Sequence, residues 1–573
     1  MTRHHSSASS TPRIDRRAFL QWSGAGVAGL GLAGAAPSAP VAERILGAKA
    51  LTPRHDASRF LAQCSFGGDL AMIDGVVDQG FEGWLEQQMS LPYAPMLDEV
   101  FALEDTLPDG EGEVATFDWI WWQRALTAPD VLRQRVAFAL SQIFVISRRV
   151  DLLFDTPSAI AAFHDILARG AFGSYRDLLL EVSLHATMGH YLSHLNNRRS
   201  DPSVNRFPDE NFAREVMQLF SIGLYQLSSD GTRVLDANGE PIPTYGNAEI
   251  TEMAKIFTGL TMAPEEPGDP IIFGEEYYTW HLPMVMVESE HEPGPKTLLD
   301  GFVVPAGQTG MQDIEMAIDH LAAHPNVGPF MGRHLIRFLV TSNPSPAYVE
   351  RVAAAFDDNG AGVRGDMKAV LKAILLDPEA RDAAKIDDPM FGKVREPFVR
   401  WVQLGRTFHA TSDSGQYRHF GGTDTVEGPD NDSVALAQYP FFAPSVFNFF
   451  SPEHQPAGPL TAAGLVAPEM EIVHAYTAIA TVNLIDRAVI EEEYIFDRDE
   501  SVWLDLDGEV DAAIAGPTQL IDRLDLLLTY GTLSAGTRQI VLDAILPLAG
   551  EPYDQVVMAL YLILVSPEYS VQR

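Results

Sequence analysis

Residues 130–147, DVLRQRVAFALSQIFVIS, decide the fold. After Arg135 the stretch is apolar on nearly every side at helical length, the pattern of a helix buried all round. The preceding Thr-Ala-Pro-Asp places Pro and Asp at its first turn. A helix of this kind needs others packed around it, and the chain supplies them on both sides. Upstream, residues 56–66 (DASRFLAQCSF) and 70–90 (LAMIDGVVDQGFEGWLEQQMS) carry apolar residues at three-and-four spacing. Downstream, residues 158–172, 175–196, 311–342, 346–360 and 365–381 repeat the pattern, several closed by Asn or Gly. The expected fold is mainly α: a single large helical domain over residues 43–573.

Three segments interrupt the helices. Residues 228–246, SSDGTRVLDANGEPIPTYG, hold Asp-Gly and Asn-Gly between short runs, which predicts a short β-hairpin. Residues 262–310 and 409–460 read as two long irregular loop insertions, and long ordered loops tend to carry function. The second contains Tyr439, Phe441, Phe442, Phe447, Phe449 and Phe450, too many aromatics for a solvated loop, so it is expected to pack on the body.

The 573 residues are 46% apolar and 21% charged, a globular composition, with formal net charge −38. Such acidity argues against nucleic acid and anionic membrane surfaces as partners, and favours solubility. Cys64 is the only cysteine, so no intramolecular disulfide and no cysteine metal cluster can form; its apolar helical setting marks it as a core residue. Residues 1–42 have a signal-peptide layout: a polar start ending in Arg16-Arg17, a Gly/Ala-rich apolar run from Trp22 to Ala35, and small residues after it. The Arg-Arg-Ala-Phe-Leu core resembles a twin-arginine signal, which implies a periplasmic or extracellular mature protein.

Several stretches together resemble one family, the proteins carrying domain of unknown function 1800. They are residues 57–68 and 84–92, 132–147, the Pro-Asp-Glu-Asn-Phe-Ala-Arg-Glu motif within 208–227, the Asp-Gly-Thr to Pro-Ile-Pro-Thr-Tyr segment, 324–349, 365–381 and the terminal LVSPEYSVQR. The resemblance implies a bacterial exported protein, with a partner expected in a second exported family, domain of unknown function 1501, often encoded beside it. It implies no reaction.

Candidate sites follow from chemistry-bearing residues. Residues 206–227, RFPDENFAREVMQLFSIGLYQL, place Glu210 opposite Arg214 and Asn211 opposite Glu215, each pair four apart on one helix. Glu210 or Glu215 is a candidate general acid or base of a hydrolase of extracellular polymer such as polysaccharide, with Arg214 beside them and Asn211 toward substrate. The same residues also suit a buried Arg–carboxylate brace. His190 and His194, four apart, suit a metal pair, though no Glu follows His190 as in the zinc-protease helix. His291 and Lys296, in a loop rich in His and Glu, are candidate substrate-binding residues. Residues 356–366, FDDNGAGVRGD, do not fit the calcium-loop pattern and read as an Asn-Gly turn. No dinucleotide, phosphate-loop, nucleophile-elbow or haem-attachment motif is present, so the sequence designates no cofactor. The alternative to an enzyme is a non-catalytic exported partner whose two long loops form the interface. If the leader reading is correct, replacing Arg16 and Arg17 with Lys strands the precursor in the cytoplasm; undiminished export of that variant, followed by cell fractionation, would refute it.

Overall fold

The computed structural model describes residues 52–108, 114–420, 436–490 and 501–573. The leader, residues 1–42, and residues 421–435 of the second insertion lie outside them.

The helix Val131–Ser141 is buried along its whole length, as its sequence requires. It packs against the helices Leu70–Ser90 and Pro157–Gly170. The helices Val327–Leu339, Pro346–Asp357 and Met367–Leu375 form a consecutively packed layer. Residues 359–365 make the expected turn in that layer, with Gly360 at φ +89° and the Asn359 side chain accepting from two backbone N–H groups. At the C-terminal end, Asp507–Ala515, Pro517–Thr529, Ala535–Ile545 and Pro552–Leu564 pack on one another. One continuous buried apolar cluster runs from Ala57 to Tyr569, joining all these groups in a single core. Cys64 lies in it with no exposure, and burial raises its thiol pKa. Among the described residues, no helix is long and apolar enough to cross a membrane.

Strands are few: four two-stranded pairs among the described residues. Two lie at the borders of or within the first insertion, pairing Leu260–Thr261 with Val285–Met286 and Lys296–Thr297 with Val303–Val304. That insertion is thus less irregular than its sequence suggests. The hairpin segment forms a small meander whose two turns, at Gly231 (φ +77°) and Gly239 (φ +85°), are the Asp-Gly and Asn-Gly pairs. In the second insertion Tyr439, Phe441, Phe442 and Phe450 are buried on the body, while Phe447 is exposed.

The charged groups at the centre form one network. Glu396 accepts from Gln142 Nε2 and Gln438 Nε2, both at 2.7 Å, and from Arg135 at 3.3 Å. Lys393 sits 3.7 Å from Glu396 and 2.9 Å from Glu469. Arg135 and Lys393 also donate to the carbonyl of Phe338, the penultimate residue of the helix Val327–Leu339. The C-terminal strand closes the arrangement: Val571–Gln572 pairs with Lys393–Val394, and Gln572 donates to Leu339 and Val340. Two cations balance two carboxylates, and all four side chains are buried. Breaking such a set leaves an uncompensated charge in low dielectric. Glu396→Gln is therefore expected to lower stability by about 3–5 kcal/mol. Arg54→Ala, which removes the exposed pair with Asp74, should cost about 0–1 kcal/mol. Denaturation of the two variants side by side checks the difference.

Candidate functional site

The sequence-designated residues fall in three places. The helix carrying the Glu–Arg motif runs only from Asn211 to Gln218. Pro208 does not open it; Asp209 turns the chain, its carboxylate accepting from Asn211 N and its backbone clasped by the Asn197 side chain. Glu210 and Arg214 face each other as expected, at 3.7 Å, both partly exposed, and Glu210 also accepts from Thr251 Oγ1. Glu215 points inward: it is buried, its Oε2 has no hydrogen-bond partner, and burial raises its pKa against the opposing pull of Arg214. Asn211 lies 3.5 Å from Ser193 Oγ and makes no bond to Glu215.

His190 and His194 do not share a helical face. The helix ends at Tyr191, and Ser193 adopts a left-handed conformation, φ +66°, that turns the chain. His194 is buried, stacked on Phe212, with Nε2 donating to Ser183 O; His190 sits against Trp280. Among the described residues no group of three or more His, Cys, Asp or Glu is placed to hold a metal ion. His291 and Lys296 do come together, but as a buried brace around Asp313 rather than in a solvated loop. Lys296 donates to Asp313 and His291, His291 bonds Thr258 O, and Gln308 donates to Asp313. Burial alone would raise the Asp313 pKa, but Lys296, His291 and Gln308 together lower it. This brace ties the first insertion to the helix Gly310–Ala323.

The chemistry that sequence reading missed lies at a cavity of about 390 Å³. The helix Val327–Leu339 places Phe330, Arg333, His334 and Arg337 on one side, at spacings of three and four. The meander contributes Arg233, and residues 446–453 contribute Phe447, Asn448 and Glu453. Gln142, from the central helix end, and Glu469 are also in the lining. The remaining lining is mostly apolar, including Ile143, Leu219, Ile222 and Phe450. A mostly apolar cavity with a few convergent polar groups is the usual form of a small-molecule site.

Three arginines meet at this cavity and at a second hollow of about 410 Å³ that they also line. Among the described residues Glu453 is the one carboxylate paired with them, 2.8 Å from Arg337 and 3.6 Å from Arg333. Burial pushes Glu453 up, but Arg337 and Arg333 hold it below the ordinary range. Arg333 is pushed down by burial, Arg337 and Arg233, which the single carboxylate does not offset. Arg337 is held in place by donating to Ser342 O and Pro452 O. Arg233 is exposed and stacks on Tyr225. His334 is neutral: Nδ1 donates to Phe330 O at 2.8 Å, and burial pushes its pKa down to about 4. The arrangement offers an excess of cationic donors in the lining of a mostly apolar hollow.

A family model described as "Protein of unknown function (DUF1800)" matches residues 59–571, nearly the whole chain. No curated protein and no solved structure matches it.

His194 gives a pH test. Its folded pKa, about 4, lies below the ordinary 6.5, because burial disfavours the imidazolium. A depressed histidine contributes stability that is fully present above about 6.5 and lost as pH falls toward 4. His194→Leu removes that contribution, so its destabilisation relative to wild type is expected to shrink by up to roughly 3 kcal/mol between pH 7 and pH 4. A pH-independent difference in denaturation midpoints would contradict it.

Proposed function

We propose, from the premise that the chain belongs to the DUF1800 family, whose description carries no reaction, that it is an exported protein binding a small anionic ligand with an apolar body in the arginine-lined cleft. The observation that carries this reading is the imbalance at the cavity: Arg233, Arg333 and Arg337 against Glu453, the other lining carboxylate, Glu469, being paired with Lys393. Arginines in an acidic chain ordinarily find carboxylates; an unoffset group of them suits a carboxylate, sulfate or phosphate with bidentate geometry. The apolar walls would bury the rest of the ligand, and exposed Phe447 at the cavity supplies aromatic surface for it. Export by the twin-arginine route is part of the proposal and rests on residues 1–42 of the sequence.

One observation favours the hydrolase reading as a second possibility: the buried Glu215 carboxylate with its unpartnered oxygen and raised pKa, beside a Tyr245 hydroxyl that likewise has no partner. Such a carboxyl is suited to a general acid. Gln218, one turn on, reaches the cavity lining where Glu210 and Glu215 do not.

Calorimetric titration separates the readings. Phenylacetate and hexanoate are expected to bind wild type, and their uncharged amides are not. Arg333→Gln is expected to weaken the carboxylates by about tenfold or more, the scale of a lost charged hydrogen bond. Equal binding of acid and amide, or no binding of either, refutes the anion site.

A further inference from the structure

Two acceptor atoms in the lining of the same cleft stand without donors. Glu469 is buried, with Oε1 2.9 Å from Lys393 and Oε2 lacking any hydrogen-bond partner. Asn448 is nine-tenths buried; its Nδ2 donates to Gln142 Oε1 at 3.1 Å, which fixes the amide orientation and leaves Oδ1 without a partner. Both residues line the 390 Å³ cavity. Gln142 Oε1, their neighbour in the lining, is already occupied by Asn448 and lies 3.4 Å from Gln438. A buried acceptor left unmet costs free energy, so such groups are ordinarily satisfied by protein, water or ligand.

The backbone is arranged to present these atoms. Asn448 sits at φ +67°, a left-handed conformation that few residues other than Gly and Asn adopt readily, and Phe441 upstream is also left-handed at φ +54°. Sparsely populated conformations of this kind gather at binding sites, where the surrounding structure holds them. Glu469 is held by the central ion network through Lys393, so its free oxygen is not a mobile surface group.

We infer that the cleft recognises a two-poled ligand: a carboxylate taken by the arginines and, within the same small molecule, a hydroxyl or ammonium donor taken by Asn448 Oδ1 and Glu469 Oε2. This rests on the reading of the arginine end as an anion site and narrows its ligand class to hydroxy- and amino-carboxylates with an apolar body. Burial, and the nearby Glu396 against the pull of Lys393, raises the pKa of the Glu469 carboxyl, so an ammonium at this position would also keep it ionised. Neutral His334 places no second cation from its ring to oppose one.

The test uses ligands that differ at one carbon. Phenylacetate, mandelate and phenylglycine carry hydrogen, hydroxyl and ammonium there; hexanoate, 2-hydroxyhexanoate and norleucine repeat the series on an aliphatic body. By titration calorimetry on the full mature chain, the hydroxyl or ammonium member of at least one series is expected to bind at least about tenfold tighter than the unsubstituted acid. Preference for hydroxyl over ammonium, or the reverse, identifies the donor. Glu469→Gln turns its amide oxygen to Lys393 and puts an N–H where the acceptor stood, so it is expected to erase the preference for the hydroxyl or ammonium member over the unsubstituted acid. Asn448→Gly, compatible with φ +67°, is expected to reduce the preference and serves if Glu469→Gln does not fold. Equal binding across each series, with Arg333→Gln still weakening all members, overturns the inference and leaves the anion site standing. Failure of every carboxylate to bind overturns both.

Discussion

The fold hangs on Glu396. Its carboxylate is shared by Arg135 from the central helix, Gln142 from the turn after it and Gln438 from the second insertion, with Lys393 close by. All of these side chains are buried. Desolvating two cations and two carboxylates is expensive, and only mutual pairing with further hydrogen bonds makes it tolerable. The backbone carbonyls at the end of the helix Val327–Leu339 supply those further bonds to Arg135 and Lys393. Elements hundreds of residues apart are thereby fixed to one point: the central helix, the arginine-bearing helix, the strand Lys393–Val394 and the C-terminal strand. An apolar cluster of this size would hold many arrangements of nearly equal energy; a directional polar set at its centre favours one of them.

The cleft is a by-product of that fixation. The network positions Gln142 and Glu469 directly, and Asn448 through Gln142, so one wall is as rigid as the core behind it. Another side comes from a single helix face, where Arg333 and Arg337 lie four apart and Arg337 is braced by two carbonyls. The exposed part is the meander with Arg233 and the segment with Phe447. Buried polar groups with exposed contacts at the rim is the distribution expected of a site that selects by geometry.

The helices were legible because their periodicity is local, and so were the turns at Gly231, Gly239 and Gly360, which need φ above zero and carry the residues that allow it. The resemblance to one family was legible from Pro208 through Glu215 and the segments around it, and the family model covers the same span. The site was not. His291, Lys296 and Glu210 drew notice because they are polar in otherwise apolar or irregular stretches, yet each turned out to be engaged by a neighbouring group. A buried brace and a binding site present the same residues at the same spacing; only the third partner, Asp313 for His291 and Lys296 or Thr251 for Glu210, tells them apart, and it comes from elsewhere in the chain. His190 and His194 failed for another reason: one left-handed residue, Ser193, breaks the helix that their spacing assumes. The cavity draws on residues 142, 233, 333–337, 446–453 and 469, no two groups of which are adjacent in sequence.

The acidity of the chain, first read as a matter of solubility, bears on the cleft as well. A formal charge of −38 gives the surface a field that repels anions at long range. An anion that reaches the cavity must therefore be selected at short range, by contact with Arg233, Arg333 and Arg337 and by what else it offers the walls. Salt screens the distant repulsion over roughly 8 Å at physiological ionic strength, while contacts inside the partly buried cleft are screened much less. Such a site discriminates against polyanions, whose remaining charges would stay exposed to the field, and favours a compact ligand with one anionic group and an otherwise apolar or hydrogen-bonding body.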